Sequence, residues 1–191
     1  MSIKTLIYNV IKKLTIDSRQ EHILSYIPNK CVIMEIGVWK GELTKLIIQR
    51  KKPYYYYLID PYNFATDLAP TQRDTVKDQD EMNWICNNVQ MLLTDTKQNH
   101  EFHRDLSEDA KLKHKLELDI LYIDGSHDYD KVIADLKKFS PLVKEYGLII
   151  CDDYKTRHEG VARAVNEFLT KNKNFTLINE QYNQAVLRRG K

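Results

Sequence analysis

Residues 118–154 read LDILYIDGSHDYDKVIADLKKFSPLVKEYGLIICDDY, and their pattern decides the fold. An apolar run at 120–123 stops at Asp124-Gly125-Ser126-His127, and a second at 148–151 stops at Asp152-Asp153-Tyr154. Short apolar runs closed by turn residues are the pattern of strands buried on both faces. The helically spaced stretch between them makes the pair a parallel βαβ unit. Three carboxylates and a histidine then stand at the carboxyl ends of neighbouring strands, the edge at which open α/β sheets bind ligands. Oxygen donors beside an imidazole predict a metal site there.

Working outward, the same grammar recurs. Residues 31–34 form an apolar run that enters Glu35-Ile36-Gly37-Val38-Trp39-Lys40-Gly41, and a helix is expected from Glu42, with Leu43, Leu46 and Ile47 on one face. A strand, a glycine turn and a helix make a nucleotide-binding arrangement, because glycine lets the backbone approach a ligand and the helix amino end offers free N–H groups. The spacing is E-x-G-x-x-x-G, neither the dinucleotide fingerprint nor a P-loop. Residues 55–59 end in Asp60-Pro61, about 20 residues after the glycine turn, where an acid binds ribose hydroxyls; the alternative is an acid capping a turn before proline. Four apolar runs thus end in an acid: Glu35, Asp60, Asp124 and Asp152. A lone buried carboxylate is costly, so four at equivalent strand ends predict a shared ligand-binding edge.

The remaining elements follow from periodicity. An amphipathic helix is expected over residues 3–14 and a second over 18–26, together a helical layer (residues 1–28) that covers the sheet or forms a homodimer contact. Residues 63–95 read as a lid or substrate-loop insertion, with a polar stretch at 63–77 and a helix at 78–93. In this region Tyr62, Phe64 and Trp84 are candidates for contact with a substrate, and core packing is the alternative for Trp84. A short strand at 101–104 is followed by a helix capped by Ser107 and running to Leu116. A last helix spans 159–171, and residues 175–178 and 184–187 form a terminal antiparallel pair.

The length of 191 residues fits one domain. The net charge of +2 gives no footprint for nucleic acid. Residues 1–52 carry ten Lys/Arg against four Asp/Glu, a local +6 that leaves −4 for the rest, and a solvated basic face accounts for it. Cys31, Cys86 and Cys151 are odd in number and lack CxxC spacing, so free thiols in a reducing, cytoplasmic setting are expected. Lys4, Asn9, Lys12 and Lys13 interrupt the apolar amino terminus, which reads as neither a signal peptide nor a membrane span.

Three motifs carry a family resemblance: Glu35-x-Gly37-x-x-x-Gly41 with Asp60; Ile123-Asp124-Gly125-Ser126-His127-x-Tyr129-x-x-Val132-x-x-Asp135-Leu136; and residues 147–154. Together they resemble the class I S-adenosylmethionine-dependent methyltransferases, in particular the branch of macrocin-type sugar O-methyltransferases and cephalosporin-hydroxylase-like proteins. A more distant likeness is to the catechol O-methyltransferases. The resemblance implies an α/β, Rossmann-like sheet of seven strands in the order 3-2-1-4-5-7-6, with strand 7 antiparallel and helices on both faces. It implies that Glu35, Ile36, Gly37 and Gly41 border the methionine part of S-adenosylmethionine, that Asp60 holds the ribose, and that Asp105, Leu106 and Ser107 line the adenine. Asp124 borders the cofactor and, with Asp152 and Asp153, binds a divalent cation. His127 falls where the catechol enzymes carry a lysine base. Ser126 stands where some sugar enzymes carry an aspartate base, and Tyr146-Gly147 replaces the usual Gly-Gly.

The chemistry agrees with the implied assignment. A sugar hydroxyl is a poor nucleophile until a hard cation lowers its pKa and a nearby base takes its proton. Oxygen ligands favour Mg²⁺ or Mn²⁺, and imidazole suits the base, although a helix-cap or packing role is the alternative for His127. The expected activity is O-methylation of a sugar or glycan hydroxyl on a small-molecule or glycan acceptor. The alternatives are a catechol-like or other diol acceptor, and a non-catalytic scaffold that keeps the cofactor pocket. No Asn-Pro-Pro-Tyr-like motif or long basic stripe points to nucleic acid.

Overall fold

The computed structural model describes residues 18–64, 76–155 and 159–191. The helix expected over 3–14, most of the polar stretch 63–77, and His158 lie outside the described residues. Seven strands form one sheet: β1 (Val32–Ile36), β2 (Tyr55–Ile59), β3 (His100–His103), β4 (Leu118–Ile123), β5 (Val143–Cys151), β6 (Phe175–Gln181) and β7 (Gln184–Arg189). Their order is β3-β2-β1-β4-β5-β7-β6. The first five run parallel, and β7 is antiparallel to both β5 and β6. This is the topology that the family resemblance implies. Ile36 pairs with Ile59 and with Ile123, and Ile123 with Cys151, so the strand ends are level and the acids after them form a row.

The pleat sends successive side chains to opposite faces, and each face has its own core. On one face Met34, Ile36, Tyr57, Ile59, Leu121, Ile123, Ile149 and Cys151 pack against α4 (Tyr129–Phe139) and α5 (Glu159–Lys171). On the other, Ile33, Tyr56, Leu58, Ile120, Tyr122 and Ile150 pack against α1 (Ser18–Tyr26), α2 (Glu42–Lys51) and α3 (Gln79–Asp95). Each fully buried Ile or Leu contributes about 1.5–3 kcal/mol, and an unpartnered buried hydroxyl would cancel about one such side chain. The buried tyrosines are accordingly satisfied. Tyr57 O–H donates to the His114 carbonyl at 2.8 Å, and Tyr56 O–H donates to Glu35.

Helix starts follow local chemistry. Asp78 caps α3 by accepting from the Glu81 N–H at 2.9 Å. In α4, Val132, Ile133, Leu136 and Phe139 recur at helical spacing and are all buried. Among the described residues no helix is long and apolar enough to cross a membrane.

The helix expected from Ser107 to Leu116 does not form; the segment is a series of turns. Its backbone groups are taken by distant side chains. Lys138 Nζ donates to the carbonyls of Ser107, Glu108 and Ala110 at 2.7–2.9 Å, and Glu101 accepts from the Lys113 N–H at 2.7 Å. The Ser107 hydroxyl, expected to cap that helix, donates to Asp135 on α4 instead. Trp84 lies on α3 with 65% of its surface exposed, so it does not pack in the core.

Tyr146, in the place of the usual first glycine and within β5, has φ 63° and is largely exposed. The left-handed conformation costs a residue with a Cβ about 1–2 kcal/mol. Tyr146→Gly is therefore expected to raise the urea midpoint, with a gain of about 1 kcal/mol or less once the entropy of the unfolded glycine is counted. A lowered midpoint would show that the ring's contacts outweigh the strain.

Candidate functional site

The carboxyl edge of the sheet opens into a cleft of about 400 Å³ lined by residues of α1, the β1–α2 loop and the ends of β4 and β5. That size falls within the usual range for small-molecule sites, about 300–1,000 Å³. Its walls include Arg19, Glu35, Gly37, Trp39, Tyr122, Asp124, His127 and Asp153. At each strand end the acid's own N–H is bonded to the neighbouring strand. Asp60 N donates to the His103 carbonyl at 3.1 Å, Asp124 N to Ile36 at 2.8 Å, and Asp152 N to Ile123 at 2.9 Å.

The glycine turn lies directly against β4. Gly37 has φ 88°, and a Cβ built on it would stand 2.2 Å from the Asp124 carbonyl oxygen. Only glycine suits both the conformation and the gap. Asp60 fixes the rest of this loop. Its Oδ2 accepts from the N–H groups of Val38 and Trp39, both at 2.8 Å, and its Oδ1 accepts from Tyr62 N at 2.9 Å. It thereby ties the turn after β1 to the turn after β2, holding Trp39 and Tyr62 at φ 52° and 49°. Glu35 is buried beneath the loop and accepts from the hydroxyls of Thr44, at 2.8 Å, and Tyr56. Burial pushes its carboxyl up to about 7, against the opposing pull of those two hydrogen bonds.

The acids after β4 and β5 part company. Asp153 takes φ 56°, a conformation that Asp tolerates better than most residues, and it meets His127, whose Nε2 lies 2.6 Å from Asp153 Oδ2. Asp152 has no exposed side-chain surface. It accepts from Arg19 Nε at 3.0 Å, from the Tyr122 hydroxyl, and from Gln184 Nε2 at 3.2 Å. Asp124 lies between the two groups, its Oδ2 3.0 Å from the Tyr122 hydroxyl oxygen and 3.8 Å from Arg19 Nη2. Burial, and then the adjacent Asp152, push the Asp124 carboxyl well above the ordinary carboxylate range, while Arg19 and Tyr122 oppose them.

One ligand atom each from Asp124, His127 and Asp153 lies within 4.8 Å of the others, a spacing that a cation could bridge. The two hard carboxylates suit Mg²⁺ or Mn²⁺, whereas an imidazole ligand suits a transition ion better than Mg²⁺. Asp152, the third expected ligand, points its Oδ2 to Arg19, Tyr122 and Gln184 instead. Of the expected cofactor residues, Glu35, Gly37 and Asp124 line the cleft; Ile36, Gly41, Asp60, Asp105, Leu106 and Ser107 are not among its lining residues. Ile36 packs in the core beneath α4 and α5, and Gly41 precedes α2 as its N-cap. Tyr154, which follows the acid pair, is buried, with its hydroxyl donating to Asn166 at 2.8 Å.

Arg19, Tyr122 and Gln184 are absent from the expected site. Two of them left a signal. Tyr122 is two residues before Asp124 and so shares its face of the strand. Arg19 is four residues before the buried Ile23, and a charged residue on a helix's buried face needs an opposite charge. Nothing in the sequence points to Gln184.

A family model described as "Methyltransferase domain" matches residues 34–154. The chain belongs to this methyltransferase family. It is 31% identical over 127 residues to an uncharacterized protein of Acanthamoeba polyphaga mimivirus, a match that covers 64% of this chain and 51% of the viral protein. The chain thus spans about half the length of the curated relative it matches. The structure is similar to that of the O-methyltransferase NovP, with a TM-score of 0.60, 18% identity, and 91% of this chain and 80% of that one covered. It is also similar to a Streptococcus mutans protein assigned as a methyltransferase and solved in complex with SAH, with a TM-score of 0.60, 10% identity, and 92% and 99% covered.

Two outcomes follow from the cleft's construction. Because the folded pKa of Glu35 lies above its ordinary 4.5, the native state keeps this proton between about pH 4.5 and 7, and stability falls as pH rises through that window. Glu35→Gln keeps an acceptor for both hydroxyls and removes the titration. Its stability relative to the parent chain is expected to increase from pH 5 to pH 8, by at most about 3 kcal/mol. Urea melts at the two pH values test this, and a difference that does not change with pH would refute it. Gly37→Ala is expected to cost more than about 2 kcal/mol, seen as a fall in melting temperature of several degrees; an unchanged melt would mean that the loop can move off β4.

Proposed function

We propose that the chain is an S-adenosylmethionine-dependent, divalent-metal-dependent O-methyltransferase acting on a hydroxyl of a sugar or glycan. The observation that carries this reading is the grouping of Asp124, His127 and Asp153 at one end of the cleft whose other wall is the glycine turn over Glu35. The family match supports methyl transfer, and the similar O-methyltransferase and SAH-bound structures support the acceptor atom and the donor. Other solved chains of this fold are described as rRNA and tRNA methylases, so RNA belongs among the acceptors to be tried.

The chain's own residues divide the work. Gly37 and the loop held by Asp60 keep the backbone open to the donor, with Glu35 beneath it. Asp105, Leu106 and Ser107 are assigned to the adenine end. Asp124 and Asp153, with Asp152, are assigned to the cation, which when bound lowers the pKa of an acceptor hydroxyl and fixes its oxygen. His127, whose Nε2 faces Asp153, would take the hydroxyl proton at its other ring nitrogen, Nδ1, as the methyl group passes from the sulfonium to the oxygen and S-adenosylhomocysteine leaves. A second reading, favoured by the same 4.8 Å grouping, makes His127 a ligand of the cation.

Calorimetry with S-adenosylhomocysteine, followed by methyl transfer to a panel of glycosides, diols and RNA with and without EDTA, tests the assignment. Binding of the homocysteine product, transfer to a glycoside and loss of transfer in EDTA or in Asp124→Asn are expected. His127→Ala should lower kcat at least about 100-fold, the usual scale of general-base catalysis, with Mn²⁺ affinity kept; lost Mn²⁺ affinity would assign His127 as a ligand. Transfer surviving both EDTA and Asp124→Asn would end the metal mechanism, and absent SAH binding would end the donor assignment.

A further inference from the structure

The cation that the fold sets against Asp152 is a side chain. Arg19 Nη2 stands 2.5 Å from Asp152 Oδ2 and 3.8 Å from Asp124 Oδ2, and Arg19 Nε stands 3.0 Å from Asp152 Oδ2. The two partners differ in freedom. Asp152 is wholly buried at the end of β5, gripped also by Tyr122 and Gln184, whereas 38% of the Arg19 side chain is exposed where α1 borders the cleft. The acid is held from several sides, and the base is partly open to solvent. The same helix reaches Asp152 by a second route, since His22 Nδ1 lies 2.8 Å from Gln184 Oε1 and Gln184 Nε2 donates to Asp152. Loss of the arginine contact therefore leaves α1 anchored.

We propose that Arg19 is a resident counter-ion which competes with a divalent cation for Asp124 and Asp152, and so sets the affinity and the entry step of that cation. The inference rests on the reading of Asp124, Asp152 and Asp153 as the cation site. Two neighbouring carboxylates taken from water need a positive charge. A guanidinium supplies one unit and satisfies carboxylate geometry with its planar fork, but it has no coordination position to offer an acceptor hydroxyl. A divalent ion brings twice the charge and sits within about 2.0–2.6 Å of its oxygen ligands. The two cations are mutually exclusive partners of Asp152 Oδ2. The arginine-bound form is thus a stable resting state of the acid pair, and withdrawal of Arg19 frees the third carboxylate that the Asp124–Asp153 pair lacks.

Calorimetric titration of the full chain with Mn²⁺ alone, without methyl donor or acceptor, tests this on the parent chain, Arg19→Gln and Arg19→Lys. Arg19→Gln is expected to bind Mn²⁺ about tenfold more tightly or better, within the common span of coupling between sites, and Arg19→Lys to fall between. A second readout does not depend on a variant that folds without its buried counter-charge. In the ¹⁵N-arginine-labelled parent chain, Mg²⁺ should move the Nε–H signal of Arg19, with Arg19→Lys supplying the assignment. Equal Mn²⁺ affinities for the parent and Arg19→Gln, or an unmoved Arg19 signal while other signals follow Mg²⁺, overturn the competition and leave the cation site standing. Absence of Mn²⁺ binding in every form, with the signals unmoved, overturns both.

Discussion

At every acid-bearing strand end in the middle of the sheet, the N–H of the first residue beyond the strand reaches the last carbonyl of its neighbour. Asp60 bonds to β3, Asp124 to β1 and Asp152 to β4, while Gly37 bonds to β2. These bonds are the final rungs of a parallel ladder, and they leave the following side chains no freedom to slide along the sheet. The carboxylates are therefore presented in a row before any ligand arrives. A parallel sheet buried on both faces makes this rigid, because a register slip would exchange two apolar cores at once.

A row of acids in a partly buried cleft has an electrostatic cost, and the fold meets it differently at each position. Glu35 is held by two hydroxyls, with its pKa raised. Asp60 is spent on backbone N–H groups, three of which fix the surrounding turns. Asp153 has a histidine, and Asp152 has an arginine from a helix more than 130 residues earlier in the chain. The strand-end acids are thus not equivalent, although the sequence presents them in the same grammar.

That grammar made the sheet legible. Apolar runs ending in acids mark β1, β2, β4 and β5, and residues 175–178 and 184–187 mark the terminal pair, whereas the strand order comes from the family resemblance. The failure at residues 107–116 has a definite cause: helical spacing of Leu112 and Leu116 says nothing of Lys138 and Glu101, which take the segment's backbone groups from a distance. At the site, the sequence indicates which residues reach the edge but not where they turn. Whether Asp152 or Asp153 faces His127 depends on a left-handed φ at Asp153, and no neighbouring glycine or proline announces it. The sequence marks Arg19 as needing an opposite charge but not which acid supplies it, because contact between α1 and β5 is a property of the folded layers.

The sheet is also a partition. The loop over Glu35 and the arginine of α1 rest on the core shared by α1, α2 and α3, whereas His127 precedes α4 and belongs to the layer of α4 and α5. Core side chains in the two layers touch different neighbours, so core substitutions in one have little energetic coupling to the other, and the layers meet only at the edge, through Asp124 and Asp152. A binding edge assembled from two separately supported halves can diverge one half at a time. In such an architecture the grip on one ligand can persist through long sequence drift while the opposite wall is recut for another, which gives lineages built on this scaffold room to change partners without losing the fold.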